Sequence, residues 1–121
     1  MNLGRWMVAG VLLLSSLPLA EAYAGGLHQF SGLAAFYSVD YSGRTARGER
    51  YDPKKLTAAH RSLPFGTRLR VTDLRSQRSV VVVVNDRGPF TKGRVLDLSL
   101  AAAKALRMTD RGLLKVTAII E

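Results

Sequence analysis

The chain has 121 residues, about the length of one domain, and its 18 Lys and Arg against 9 Asp and Glu give a formal charge of +9. Hydrophobic residues make up 47% of the chain, too many for a disordered basic tail. The absence of cysteine excludes a disulfide framework, a Cys-ligated zinc site, a thiol nucleophile and a lipid-modified cysteine. Two histidines, His28 and His60, are too few for a multi-histidine metal site, and we expect neither a metal nor a cofactor.

Residues 1–24 have the composition of a secretory signal peptide. An apolar stretch at 7–17 precedes two small-x-small triplets of the kind that signal peptidases cleave, so we expect cleavage after Ala22 or Ala24. The mature domain is then 25–121. The alternative is an uncleaved anchor, but the apolar stretch is shorter than the ~20 residues of a spanning helix. We therefore expect an exported protein of the periplasm or cell envelope, with no stable membrane anchor.

The positive charge belongs to the mature domain, because removal of Arg5 and Glu21 with the signal peptide leaves it at +9. Export combined with this charge indicates an anionic partner outside the cytoplasm. Charge alone leaves cell-wall polymers, lipid headgroups and nucleic acid open. Since there are no disulfides, we expect packing and backbone pairing to stabilise the fold.

The mature chain begins with a predicted strand at 32–37, where apolar side chains alternate. Residues 38–67 are rich in Gly, Pro, Ser, Thr and charged residues and predict a long loop, with one short helix near Ala58 and Ala59. Loops of this length inside compact domains are usually functional.

Residues 68–72 alternate polar and apolar side chains and predict a second strand, and a polar turn follows at 73–78. Five consecutive valines lie within 79–85. Because β-branched residues favour strands and both faces are apolar here, we expect a strand buried on two sides, as in a closed barrel. A tight turn at 86–90 comes next.

The last third of the chain predicts a strand at 95–98, a helix over 100–106 capped by Ser99, and a final strand at 113–120. The sum is about six strands with one or two short helices. The sequence therefore predicts a mainly β domain.

Four side chains are candidates for acid–base chemistry. Asp86 directly follows the valine strand, where one side of its carboxyl group meets apolar packing and the other meets solvent. Partial desolvation favours the protonated form that a general acid needs. Glu49 and Asp52 lie in the long loop beside Tyr51, and His60 follows two alanines that leave its ring accessible.

Each candidate also has a purely structural interpretation. Asp86 could hydrogen-bond within its own turn, as Asp does in Asx turns. His60 could be a structural histidine. Asp97, between two leucines, could be a buried carboxylate paired with Arg87 or Arg94.

Aromatic and basic residues of the long loop are open to two interpretations as well. The tyrosines either fill the core or offer faces on which sugar rings stack, and they are Tyr37, Tyr41 and Tyr51. The basic residues either bind an anion or form a solvated surface, and they are Arg44, Arg47, Arg50, Lys54, Lys55 and Arg61.

Six motifs, in order and with compatible spacing over 30–120, together resemble the rare lipoprotein A (RlpA) family. They are GLAAFY at 32–37, TARGERYD at 45–52, LTAAH at 56–60, LPFGT at 63–67, VNDRGPF at 84–90 and DLS at 97–99. The chain departs from the family pattern at Phe36, where Trp is common, and at Arg47, where Asn is common. The lipobox cysteine that many members carry is also missing.

The resemblance implies a six-stranded double-psi β-barrel that acts as a peptidoglycan lytic transglycosylase. It implies cleavage between N-acetylmuramic acid and N-acetylglucosamine, a preference for glycan strands without stem peptides, and a 1,6-anhydro product. It places the family's functional carboxylates on Glu49, Asp52 and Asp86 and its histidine on His60. We expect catalytic roles for Asp86, as acid and base, for His60 and for Glu49, with Asp97 as a second candidate acid. Substrate contacts are then expected from Asp52, Tyr37, Tyr51, Asp97 and Arg87.

Two other functions stay open. One is a non-catalytic, expansin-like module that binds cell-wall glycan in a similar groove. The other is a nucleic-acid or membrane binder driven by charge, whose binding would fall steeply with salt. We expect glycan strands as the partner, no nucleic-acid partner, and a monomer.

Overall fold

The computed structural model describes residues 28–121, so the predicted signal peptide at 1–24 lies outside the described residues. The described chain forms six strands and a short helix between the last two. They are β1 (Gln29–Phe36), β2 (Thr57–Ala59), β3 (Arg68–Asp73), β4 (Ser79–Asp86), β5 (Arg94–Leu98), α1 (Leu100–Ala105) and β6 (Leu114–Ile120). No helix within these residues has the length and apolar character needed to cross a membrane.

The six strands form one closed barrel in the order β1-β5-β2-β4-β3-β6, with β6 paired back onto β1. The pairs β1–β5 and β2–β4 are parallel and the other four are antiparallel. Closure leaves no strand edge unpaired, which compensates for the absence of disulfides. The prediction of a mainly β, six-stranded double-psi β-barrel is confirmed.

The valine strand β4 lines the barrel with every second side chain. Val80, Val82 and Val84 are buried, whereas Val81 and Val83 on the outer face are only partly buried. The expectation of burial on both sides is therefore wrong for the outer face. Alternation along a strand sends neighbouring side chains to opposite faces, and only the inner face meets the core.

The short helix predicted near Ala58 and Ala59 is wrong, since these residues belong to β2. Alanine favours helices locally, but here both neighbours of the segment are strands. Ala58 pairs with Val84 on one side and Leu98 on the other, and its small side chain points into the core. Tertiary pairing overrides the local preference.

The predicted helix after Ser99 is confirmed and closes one end of the barrel. Ser99 caps α1, since its Oγ accepts from the Ala102 amide at 3.2 Å. The same Oγ accepts from the Thr57 amide at 3.2 Å and so ties the helix to β2. Leu106 and Met108, just after the helix, are fully buried against the barrel core.

The turn between β3 and β4 is organised by a buried carboxylate. Asp73 is 1% exposed and accepts hydrogen bonds from the Arg75 amide at 3.0 Å, the Ser76 hydroxyl at 2.7 Å and the Arg111 guanidinium at 3.0 Å. Burial by itself raises the pKa of Asp73, but these donors outweigh it and hold the pKa below its usual value. The polar turn is thus partly a buried structural element.

Candidate functional site

Two partly exposed aspartates lie at neighbouring strands, on either side of one alanine. Ala59 in β2 pairs with Asp86 in β4 and with Asp97 in β5. The β2–β4 register shifts between Ala58 and Ala59, so Asp86 lies at an irregular strand end and not in the regular alternation of β4. Two strand spacings separate their backbones by about 10 Å.

Asp86 ends β4, and its carboxylate accepts three hydrogen bonds. Tyr37 Oη donates to Oδ2 at 2.5 Å. The amides of Ala46 and Arg87 donate to Oδ1 at 2.7 and 2.9 Å. The bond from the Arg87 amide is the local turn contact considered from the sequence, whereas the other two donors come from distant parts of the chain. Asp86 is therefore held by its own turn, by the end of β1 and by the loop that contains Ala46.

Tyr37 follows β1 directly, and its hydroxyl reaches Asp86 at the end of β4 although β5 and β2 lie between these strands in the barrel order. Burial is the main cause, and the hydrogen bond to Asp86 the second, of a pKa of Tyr37 far above its ordinary value. The phenol therefore stays protonated and acts as a donor.

The other two tyrosines of the set support Tyr37. Tyr51 stacks on it with ring centroids 4.4 Å apart and an interplanar angle of 13°, and Tyr41 packs against both rings. Tyr51 is 4% exposed, and its hydroxyl accepts from the Leu100 amide at 3.0 Å. In this arrangement Tyr51 presents no open face to a ligand.

The loop at 44–50 is docked onto the end of β4. The Arg47 amide donates to the Asn85 carbonyl at 3.2 Å, and Asn85 Nδ2 donates to Glu49 Oε1 at 2.9 Å. Asn85 directly precedes Asp86 and is buried. The exposed Glu49 carboxylate is thereby fixed on the same side of the barrel as Asp86.

His60 adjoins Asp86 through its backbone. Its amide donates to the Asp86 carbonyl at 3.1 Å, whereas its Nδ1 accepts from the amides of Ser62 and Leu63 at 3.1 and 3.0 Å. Burial first, then the positive charges of Arg87 and Arg61, lower the pKa of His60. The imidazole is thus neutral with its proton on Nε2, and the ring organises its own loop.

Two other residues predicted to contact substrate, Asp97 and Asp52, have partners close to them in the sequence. Asp97 forms an ion pair with Arg94, one of the two partners considered from the sequence. The charge of Asp97 also contributes to the raised pKa of Tyr37. Asp52 accepts from the Lys54 amide at 2.9 Å in its own turn.

Arg87 lies over the ring of Phe65, 4.0 Å from its centroid, and donates to the His60 carbonyl at 3.3 Å. The surface around it is rich in exposed aromatic area, with Phe65 38% and Phe90 78% exposed. Neither phenylalanine was singled out from the sequence. Their positions inside the LPFGT and VNDRGPF motifs were the available signal.

Two cavities, of about 360 and 440 Å³, lie on another part of the barrel. The smaller is lined by Asp73, Arg75 and Arg111 and the larger by β1 and β6, so neither contains Asp86. Across residues 28–121, no three His, Asp or Glu side chains come together as metal ligands.

Residues 29–118 match the family described as lytic transglycolase, which is most of the chain. The chain belongs to this family. Its motifs around Asp86, His60 and Glu49 thus lie within the matched region.

Among relatives of this lytic transglycolase domain, "Probable endolytic peptidoglycan transglycosylase RlpA" from Nostoc sp. is 59% identical over 90 residues, covering 72% of this chain and 24% of that protein. "Endolytic peptidoglycan transglycosylase RlpA" from Pasteurella multocida is 49% identical over 82 residues, covering 67% of this chain and 28% of that protein. The chain therefore spans about a quarter of the length of these relatives.

Solved structures agree on the fold. The Streptomyces papain inhibitor superposes with a TM-score of 0.63 at 24% identity, covering 76% of this chain and 93% of the inhibitor. The apo expansin of Clavibacter michiganensis has a TM-score of 0.59 at 25% identity, covering 77% of this chain and 50% of the expansin. The lytic transglycolase domain thus shares its barrel fold with a papain inhibitor and an expansin.

Proposed function

We propose that this domain is a peptidoglycan lytic transglycosylase in which Asp86 is the catalytic acid and base. The observation that carries the proposal is the partly exposed Asp86 carboxylate at the end of β4, held by Tyr37 and the Ala46 and Arg87 amides. Membership of the lytic transglycolase family and the names of the relatives support the reaction class.

The reaction breaks the β-1,4 bond between C1 of N-acetylmuramic acid and O4 of N-acetylglucosamine. Asp86 donates its proton to O4, which leaves as a hydroxyl. The C6 hydroxyl of the muramic residue attacks C1, and Asp86 takes the proton it releases. One strand then ends in 1,6-anhydromuramic acid, no water is consumed, and the acid is regenerated.

The three donors around Asp86 stabilise the carboxylate that exists between the two proton transfers. An anion accepts hydrogen bonds from fixed donors more strongly than a neutral acid does. Because these donors are already in place, little reorganisation is needed when charge develops. In this proposal, Tyr37 is a positioning residue for the acid and base.

Positive charge builds on C1 as the bond breaks, and two carboxylates are available to stabilise it. Glu49 is fixed by Asn85 on the same side as Asp86, and Asp97 lies across Ala59 from it. His60 positions the end of β4 through its backbone.

We further propose that Phe65 and Phe90 support sugar rings beside Arg87, in the stacking role that the sequence had suggested for Tyr37, Tyr41 and Tyr51. Exposed aromatic faces bind the apolar faces of sugars. The preferred substrate is a glycan strand without stem peptides, in the periplasm or cell envelope after export.

The deciding experiment is mass spectrometry of peptide-free glycan incubated with wild type, with Asp86→Asn and with Asp110→Asn. Asp110 is an exposed carboxylate in the turn before β6 and serves as the matched control. We expect 1,6-anhydro ends from wild type and Asp110→Asn, and a loss of at least ~10²–10⁴-fold in Asp86→Asn. Wild-type turnover in a folded Asp86→Asn protein would remove the role of Asp86.

The second candidate is a glycan-binding module without cleavage. The three donors to the Asp86 carboxylate favour it, because they leave only about one of the four acceptor sites open and hydrogen-bond the group as a structural residue would be. Glycan that is bound by wild type but recovered without any 1,6-anhydro ends would support this module over the enzyme.

A further inference from the structure

Most arginines on this side of the barrel have their guanidinium groups engaged. In the 44–50 loop, Arg44 Nη1 donates to the Gly48 carbonyl at 3.0 Å, and Arg50 Nη1 donates to the Ser42 carbonyl at 3.4 Å. Both side chains therefore hold the loop together. Each of them spends one of its five N–H donors on this contact, which fixes the position of its guanidinium group on the loop.

The arginines around His60 and β5 are engaged as well. Arg61 donates to three backbone carbonyls, those of Pro89, Thr91 and Arg94. Arg87 lies on Phe65 and bonds the His60 carbonyl, and Arg94 is paired with Asp97. These contacts engage all three guanidinium groups within the fold, although the buried Arg94 Nε has no hydrogen-bond partner among the described residues.

Arg47 is different. Its side chain is exposed and makes no hydrogen bond or ion pair within the described residues, although its amide is fixed on the Asn85 carbonyl at 3.2 Å. Its neighbour Ala46 donates its amide to Asp86 Oδ1 at 2.7 Å. The backbone of Arg47 is therefore fixed next to the Ala46 amide that contacts Asp86, the proposed acid and base, while its guanidinium group has no partner within the described residues.

We propose that Arg47 forms an anion subsite beside Asp86 that binds the free lactyl carboxylate of a peptide-free muramic residue. This inference rests on the proposed function, because it places a glycan strand at Asp86. N-acetylmuramic acid carries a lactyl ether on O3, in the same sugar whose C1 is attacked. A carboxylate there lies on the reacting residue itself, within reach of a long arginine side chain.

The chemistry of the two states of the lactyl group makes Arg47 selective. Without a stem peptide, the group ends in a carboxylate, which pairs with guanidinium through two parallel hydrogen bonds. With a stem peptide, the same carbon is a neutral, bulkier amide that offers one acceptor and no charge. Arg47 is therefore a specificity-determining residue for strands without peptides.

The surrounding charges permit this pairing. Glu49, two residues away, is already bonded by Asn85, and Asp86 is bonded by three donors. Asp97 is paired with Arg94. The donors to Glu49 and Asp86 are neutral groups, so these two carboxylates keep their charge, and only Asp97 is neutralised by an ion pair. None of the three carboxylates pairs with Arg47 within the described residues, which leaves its guanidinium to an incoming anion.

The test measures binding in the Asp86→Asn background, so that cleavage does not consume the ligand. Two ligands are compared by calorimetry: short peptide-free glycan fragments, and the same fragments with each lactyl carboxylate converted to its methylamide. The proteins are Asp86→Asn alone, and Asp86→Asn combined with Arg47→Gln, Arg47→Lys or Arg78→Gln. Arg78 is an exposed arginine of the β3–β4 turn and controls for overall charge.

We expect Arg47→Gln to weaken binding of the carboxylate fragment about tenfold and to leave binding of the methylamide unchanged. Arg47→Lys should recover part of the loss, and Arg78→Gln should change neither ligand. The preference for the carboxylate should also shrink as salt rises, because the pair is exposed to solvent. An equal loss for both ligands, or no loss for the carboxylate, overturns the subsite.

The outcomes also separate this inference from the proposed function. If wild type releases no 1,6-anhydro ends but Arg47→Gln still removes the preference for the carboxylate, the enzyme proposal fails and the anion subsite stands. If wild type cleaves the strands and Arg47→Gln leaves the preference intact, the subsite alone is overturned.

Discussion

The phenolic oxygen of Tyr37 lies 2.5 Å from Oδ2 of Asp86, although 49 residues separate them in the sequence. This contact joins the end of β1 to the end of β4 across two intervening strands. Burial keeps the Tyr37 phenol protonated, so its hydroxyl remains a hydrogen-bond donor to Asp86, the group proposed to transfer protons.

Tyr37→Phe removes this donor and keeps the ring that stacks on Tyr51. A hydrogen bond to a charged group contributes about 1.5–3 kcal/mol, so we expect kcat to fall roughly ten- to a hundredfold. The folded protein loses the same bond, so the unfolding temperature should fall as well, and kcat is compared per folded molecule. Tyr41→Phe is the control, because its hydroxyl donates to the Arg44 carbonyl and does not touch Asp86. Equal losses in both variants would contradict the role of the Tyr37 hydroxyl.

Glu49→Gln separates charge from position. The amide oxygen still accepts the hydrogen bond from Asn85, so the 44–50 loop should keep its place. If Glu49 stabilises positive charge at C1, the rate of release of 1,6-anhydro ends should drop by about tenfold or more, with binding of glycan retained. Full activity in Glu49→Gln would reduce Glu49 to a loop contact.

His60 gives the fold a dependence on pH below neutrality. Its pKa in the folded protein is lowered from 6.5, so its contribution to stability is present above 6.5 and is lost as the pH falls through the folded-state pKa. Protonated Nδ1 cannot accept the amides of Ser62 and Leu63. We expect the free energy of unfolding in urea to fall from pH 7.5 to pH 5 in wild type.

The variant His60→Ala should be less stable at pH 7.5 and should lose less stability between these two values. His28→Ala, at the other and exposed histidine, should keep the wild-type dependence. An unchanged slope in His60→Ala would assign the pH dependence to other groups.

Asp73→Asn tests the buried carboxylate of the β3–β4 turn. The change replaces one acceptor oxygen by an NH2 donor that cannot accept from Ser76 or Arg111, and we expect a loss of about 1–3 kcal/mol in the free energy of unfolding. Glu121→Gln breaks the exposed pair with Arg70 and should cost at most ~1 kcal/mol. Both variants should keep wild-type activity per folded molecule, and a loss of activity in Asp73→Asn would link this turn to Asp86.

Local patterns predicted the elements whose signals lie within a few residues. The five valines indicated β4, and Ser99 followed by alanines indicated α1, because β-branching and capping act over one strand or one turn. Ala58 and Ala59 were predicted as helix for the same reason and were wrong. Their strand exists only because β4 and β5 pair with it from both sides.

The amino-acid sequence by itself determined a basic, cysteine-free, mainly β domain and the motifs that contain Asp86, His60 and Glu49. Folding in three dimensions decided which partners these groups have. Barrel closure brings Tyr37 and Ala46 to Asp86, turns the ring of His60 toward its own loop, and leaves Arg47 without a partner in the described residues. Hydrogen bonds between distant segments depend on strand order and register, which no local pattern of residues encodes.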